Sequence, residues 1–281
     1  MPDISTLPYL LQLLDDQSDV VRNAVARELA EFGPALEPAL SGLSAPPSPG
    51  QRHVIRTLLA DYSRRALREV WPQWYGLDDD YAKLETALSL IADFQNGPTY
   101  PVALRELLDK LAAEFRATRE SSPDPLQLAQ FLFSEKGLTG ERNEYYHPSN
   151  SNLVYVIEAR RGLPISLSII YMLVGRRLGM TITGCAWPRH FFARVETGGT
   201  FHLVDCFSEG HAVDLDSFLK MQGPSREAAR SVIEGVVNAE LIIIRVLNNL
   251  IHAYAQVDHA ANRELFTQLL RDTESGTSGG S

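Results

Sequence analysis

Residues 164–205 read PISLSIIYMLVGRRLGMTITGCAWPRHFFARVETGGTFHLVD, and this stretch decides the fold. It opens on Pro164, which suits a first helical turn, and its first part stops at Gly179. Between them Ile165, Leu167, Ile169, Ile170, Met172, Leu173 and Val174 place apolar side chains on nearly every face. A helix that is hydrophobic all round is buried, so the sequence predicts a central helix over residues 164–178. After Gly179 the period shortens. Residues 181–187, 191–195 and 201–205 are short runs of β-formers, broken by Pro188 and by Gly198-Gly199, which predicts an antiparallel meander.

The flanks read as helix. Leu7, Leu10, Leu11, Leu13 and Leu14 form a stripe that stops at Asp15-Asp16-Gln17-Ser18. Asp19 then reads as the N-cap of a helix carrying Val20, Val21, Ala24, Val25 and Leu29, with Gly33 at its C′ position. A short helix, an acidic turn and a second helix resemble one HEAT-type repeat. Residues 38–43 and 51–71 supply a degenerate second pair across a Pro-rich loop at 44–50. The alternative is a plain helical subdomain. Further helices are expected at 81–95, 101–119, 125–136 and 151–160, the last stopped by Gly162, with an exposed loop at 137–150. Helices return at 237–257 and 261–271, and the Ser/Gly-rich end has linker composition.

With 44% hydrophobic and 22% charged residues in 281, the chain has globular composition, which excludes a disordered or fibrous protein. Its 26 Lys and Arg against 35 Asp and Glu give a formal charge of −9, which argues against nucleic acid or an anionic membrane as partner. No apolar run approaches the roughly 18–20 residues of a membrane span, and Met1-Pro2-Asp3-Ile4 is not the start of a signal peptide. Two cysteines, Cys185 and Cys206, make neither a disulfide framework nor a Cys-rich zinc site. A cytoplasmic protein is expected.

A buried helix followed by strands brings three polar residues into question. Ser166 lies in the first turn of the helix, His190 starts the second strand and Asp205 ends the third. A nucleophile at a helix N-terminus, then a His, then an acid that orients it, is the order of Cys-His-Asp acyl transferases and papain-like proteases. His202, Asp205, Cys206, His211 and Asp214 are close in sequence and carry metal-binding groups. Their spacing fits no standard zinc pattern, and strand alternation separates His202 from Asp205. Arg160-Arg161 and Arg176-Arg177 read as helix-end doublets rather than phosphate sites. Trp71, Trp74 and Tyr75 read as packing between subdomains more readily than as a recognition patch. No P-loop or dinucleotide fingerprint is present, and no cofactor or metal is expected.

Residues 144–216 resemble the SirB-type branch of the transglutaminase-like superfamily. The resemblance rests on Tyr146-His147-Pro148-Ser149-Asn150-Ser151 with Leu153, and on Arg160-Arg161-Gly162-Leu163-Pro164-Ile165-Ser166-Leu167-Ser168. It continues through Arg176-Arg177-Leu178-Gly179-Met180, Arg189-His190-Phe191 and Asp205-Cys206-Phe207 with Gly210. It implies an α+β fold: a transglutaminase-like (cysteine-proteinase-like) core with a central buried helix and small antiparallel sheet, flanked by many helices. The expected organisation is 1–75 helical and HEAT-like, 76–222 the core, 223–272 a C-terminal helical region, and 273–281 a flexible tail. The family often continues into tetratricopeptide repeats, and Arg245-Val246-Leu247-Asn248-Asn249-Leu250 with Tyr254 resembles the opening helix of one.

The family's nucleophilic Cys lies two residues after the helix-opening Gly, which carries it onto Pro164. The His and Asp carry onto His190 and Asp205. The resemblance therefore implies a non-catalytic protein- or peptide-binding module. Its alternative is a hydrolase or acyl transferase with a displaced nucleophile, a Ser166-His190-Asp205 triad. Ser166 lies roughly 200° around the helix from position 164, and a Ser there often bonds locally instead. Cys185 and Cys206, in apolar surroundings, read as inert thiols. In a third reading, His190 and Asp205 are purely structural and hold the sheet to the helix.

Overall fold

The computed structural model describes residues 2–118, 124–188, 190–213, 215, 219–220, 226–235 and 237–278. The chain divides into two compact units, Met1–Trp71 with Asp93–Val102, and Pro72–Ala92 with Ala103–Ser281.

The first unit is helical. It contains α1 (Leu7–Gln12), α2 (Asp19–Glu31), α3 (Leu36–Ser41), α4 (Pro49–Leu58) and α5 (Ala60–Val70), packed around Leu7, Leu29, Leu36, Leu40 and Ile55. Two ends differ from the sequence reading. Ser18, not Asp19, is the N-cap of α2, which leaves Asp19 in the first turn, where its charge favours the dipole. The Pro-rich loop ends early, because Ser48 and Gln51 form a capping box and Pro49 occupies the first helical position of α4. Gly33 follows α2 with φ of 49°, a left-handed value suited to glycine.

Helix α6 (Asp80–Asn96) belongs to the second unit as far as Ala92. After it come α7 (Leu104–Ala117), α8 (Pro125–Ala129), which runs on as a π-helical turn at Gln130–Glu135, and α9 (Leu153–Ala159). Helix α7 starts three residues later than expected, with Ala103 rather than Pro101 at its boundary. Helix α9 stops at Arg160, whose φ of 59° is left-handed, two residues before the expected Gly162.

Helix α10 (Pro164–Arg177) is the centre of this unit, and every residue from Pro164 to Gly175 is buried. Burying its seven large apolar side chains contributes on the order of 10–20 kcal/mol before chain entropy is counted. Helix α7 and a four-stranded sheet pack against it. The sheet is an antiparallel meander in the order β3 (Ile182–Cys185), β4 (Phe192–Thr197), β5 (Thr200–Asp205), β6 (His211–Val213), and its last strand was absent from the sequence reading. Cys185 pairs with Phe192, Ala193 with Val204 and Asp205 with His211. Gly175 lets helix and sheet approach closely, since a Cβ there would lie 2.4 Å from Ile182 Cδ1. The architecture is α+β, as expected.

The C-terminal part adds α11 (Arg226–Glu234), α12 (Ala239–Gln256) and α13 (Ala260–Ser278). The last two pack as a hairpin in which Tyr254 stacks on Phe266 at 5.4 Å. Helix α13 continues well past Arg271, with Thr273 fully buried, so linker composition there does not break the helix. Residues 279–281 lie outside the described residues. No described helix is long and apolar enough to cross a membrane.

Candidate functional site

The N-terminal end of α10 is reached by two short segments running side by side. Thr139–Gly140 (β1) pairs in parallel with Arg161–Gly162 (β2), and the Glu141 amide donates to the Gly162 carbonyl at 3.0 Å. Gly140 is required here. Its amide donates to the Phe207 carbonyl at 3.2 Å, and a Cβ would fall 2.4 Å from the Phe207 ring. Buried Asn150 ties the next loop together, its Nδ2 donating to the carbonyls of Glu144 (2.6 Å) and Tyr145 (3.1 Å). A segment that reads as an open loop is thus held by backbone pairing and one interior amide.

His190 and Asp205 meet at the sheet end. Nε2 of His190 lies 3.0 Å from Oδ1 of Asp205, which also accepts from the amides of Phe207 (3.1 Å) and Ser208 (3.2 Å). Burial raises the Asp205 pKa, but the His190 hydrogen bond and charge and the Ser208 amide outweigh it and leave the carboxyl below its ordinary range. With the Nε2 proton aimed at the carboxylate, neutral His190 presents Nδ1 as an acceptor. Nδ1 has no hydrogen-bond partner among the described residues. The ring packs edge-on to Phe192 at 4.4 Å and to Phe207 at 6.4 Å. Arg245 of α12 secures the preceding turn, donating to the carbonyls of His190 (2.8 Å) and Trp187 (3.4 Å).

Ser166 is not joined to this pair. Its buried Oγ donates to the Asn150 carbonyl at 2.7 Å, and no hydrogen bond links it to His190 among the described residues. The local bond to the first turn expected of a Ser near a helix start is not the one made: the partner is a loop carbonyl sixteen residues away. Position 164 is a buried Pro with no nucleophilic atom. One turn further on, buried Ser168 lies beside the Cys206 thiol, with no well-aligned hydrogen-bond partner among the described residues. Residues four apart share a helix face, so Pro164 lies on the same side of α10 as Ser168.

Both thiols are free and buried. Burial pushes Cys185 up to about 11 and Cys206 up to about 12, so neither holds appreciable thiolate near neutrality. Among the described residues no three His, Cys, Asp or Glu side chains gather as a metal site. His211 Nδ1 bonds the Ser208 carbonyl, and Asp214 lies outside the described residues, as does Arg189. Arg177 is paired with Glu85 and Asp109, and Arg176 with Asp79. Trp71 and Trp74 are buried, so neither forms an exposed recognition patch.

Sequence reasoning missed a cluster of aromatic contacts next to His190. Arg142 lies 5.5 Å from the centre of the Phe207 ring, and Tyr145 packs edge-on to Phe207 and to Tyr146. Tyr146 in turn meets His252 of α12 at 4.7 Å. Tyr146, Phe207 and Arg245 lie within quoted motifs, but nothing in a linear pattern signals that they converge.

The model of the transglutaminase-like superfamily matches residues 102–248, a span that contains α10, the sheet, His190, Asp205 and Arg245. The chain belongs to this superfamily. It belongs also with the UPF0162 proteins, one of which, from Xylella fastidiosa, is 30% identical over 207 residues, covering 68% of this chain and 72% of that protein. A UPF0162 protein of Pseudomonas aeruginosa is 29% identical over 175 residues, 60% of this chain and 63% of its own. Human F-box only protein 21 is similar over a smaller region, 28% identical across 128 residues, 43% of this chain and 20% of that protein. No solved structure matches the chain significantly.

Proposed function

We propose that this transglutaminase-like protein is non-catalytic and that its cleft, with His190 and Asp205 on the wall, binds a protein or peptide. One observation carries the reading. The His–Asp pair stands at 3.0 Å, while position 164, onto which the family's nucleophile carries, is a buried Pro, and Ser166 gives its proton to a carbonyl. Acyl transfer needs a nucleophile within roughly 2.6–3.2 Å of the base. The two thiols support the same reading, since a buried thiol with a raised pKa is a poor nucleophile. What remains is an oriented imidazole beside aromatic side chains, suited to hydrogen-bonding an extended chain rather than cleaving it.

The test is labelling with a fluorophosphonate for serine and with iodoacetamide for thiol, on the wild type and on His190→Ala. The expected result is slow labelling, unchanged by the substitution. Rapid labelling of Ser166, Cys185 or Cys206 that disappears in His190→Ala would establish a His-activated nucleophile and replace this proposal with the hydrolase or acyl transferase reading.

A further inference from the structure

We infer that a cavity at the other end of the sheet from His190 binds a small zwitterion of the amino-acid type, with its carboxylate on Arg194, its ammonium on Glu196 and its side chain against Phe201. The site uses none of the residues of the binding reading above and is independent of it.

The cavity has a volume of about 710 Å³, ample for a small ligand, and lies where residues 178–181 meet the starts of β3 and β5 and the end of β4. Register places its polar groups together. Thr183 pairs with Arg194 and Glu196 with Phe201, and residues two apart on a strand share a face, so these four side chains lie on one face of the sheet. Among the described residues that line the cavity, Arg194 and Glu196 are the ionisable pair, so its wall is neutral overall but dipolar. The guanidinium lies 5.3 Å from the Phe201 ring centre, which brings the cation to the ring that stands opposite Glu196.

The cation is buried and only partly satisfied. Arg194 is 9% exposed; its Nε donates to Thr183 Oγ1 at 3.2 Å, and its Nη1 is taken by the carbonyls at the end of α11. Nη2 carries two more N–H groups and has no hydrogen-bond partner among the described residues, nor does any carboxylate there lie within ion-pair distance. A buried charge that meets only neutral groups gains more from a ligand's carboxylate than an exposed one does. Exposed Glu196 is likewise without a cation among the described residues, Arg194 included. Neighbouring charges are committed: Asp124 caps α8, and Arg176 and Arg177 pair with acids. A simple anion would leave Glu196 facing its own sign, and a simple cation would leave Arg194 unmet, whereas a zwitterion answers both. Phe201, 44% exposed, and Met180 supply apolar surface for its side chain.

The experiment is isothermal titration of the full chain at neutral pH with phenylalanine, hydrocinnamate and phenethylamine, which share one skeleton and differ only in their charged groups. Phenylalanine should bind most tightly. Phenethylamine, which lacks the carboxylate for buried Arg194, should be about tenfold or more weaker, and hydrocinnamate, which lacks the ammonium for exposed Glu196, about fivefold weaker. Glu196→Gln should erase the advantage of phenylalanine over hydrocinnamate, and Phe201→Ala should weaken all three. Glu264→Gln, an equal change of charge on α13, should leave the ranking and the affinities unchanged. Equal binding of the three probes, a zwitterion preference that survives Glu196→Gln, or binding of none of them would overturn the inference, and each of these outcomes leaves the His190 reading untouched.

Discussion

Restoring a thiol at position 164 tests whether this is the position that faces the His–Asp pair. Pro164→Cys removes a first-turn proline, where the missing N–H is no loss to the helix, so folding should change by less than about 1 kcal/mol. The wild type is its own blank, because Cys185 and Cys206 are buried and titrate near 11 and 12. An ordinary thiol with pKa of about 8.5 is roughly 0.3% thiolate at pH 6. A thiol at a helix N-terminus beside an imidazolium falls to about 3.5–7.5, and at about 6.5 it is roughly 24% thiolate at pH 6. That is a gain of about 75-fold in thiolate. Lower basicity returns part of it: with a Brønsted slope of about 0.45, two pKa units cost roughly eightfold in nucleophilicity. The net expectation is about tenfold faster reaction with a pyridyl disulfide at pH 6 than an exposed surface cysteine shows. At pH 7 the gain is only about threefold, so the full pH profile is the informative assay. Its midpoint should lie below about 7.5 in Pro164→Cys and return toward 8.5 when His190→Ala is added. A profile centred near 8.5 in Pro164→Cys, or one indifferent to His190, would show that position 164 does not face the imidazole, and that the family's nucleophile position does not carry onto it.

Two further outcomes are expected. Arg194 bridges the end of α11, its Nη1 donating to the carbonyls of Ile233 (2.9 Å), Glu234 (2.9 Å) and Gly235 (3.1 Å), so Arg194→Met should cost about 3 kcal/mol and lower Tm by about 6–12 °C in a thermal melt; a loss under about 1 kcal/mol would mean that those carbonyls are satisfied otherwise. Asp205 has its pKa depressed below the ordinary 3.8, so its contribution is present above that value and lost as pH falls through the folded-state pKa. Urea melts should therefore show Asp205→Ala less stable than wild type at pH 5, with the difference shrinking below about pH 4; a difference that grows on acidification would contradict the sign.

How much of this was legible in the sequence differs between the fold and the site for a physical reason. Burial on every face of residues 164–178 is a local property, as is the strand period that follows, and both were readable. The misplaced ends, at Asp19, Pro101 and Gly162, follow backbone dihedrals rather than residue type: Ser18 and Ala103 are extended where their helices begin, and Arg160 is left-handed where α9 stops. Strand β6 escaped because three residues, His211–Val213, have no period to detect and exist only by pairing with β5. Similarly, the Ser- and Gly-containing end of α13 is helical because the helix packs on α12, so tertiary contact overrides composition. The site divides the same way. His190 and Asp205 were legible because a His and an acid at the ends of adjacent strands of a meander must be close. Ser166 was a weaker candidate for a reason equally elementary: two residues along a helix is roughly 200°, and a residue turned that far from Pro164 meets the Asn150 carbonyl instead of the imidazole. The aromatic cluster beside His190 was beyond a linear reading, since Arg142, Phe207 and His252 come from three separate segments. Their convergence depends on Gly140, where a single methyl group would displace the Phe207 ring that His190, Tyr145 and Arg142 contact.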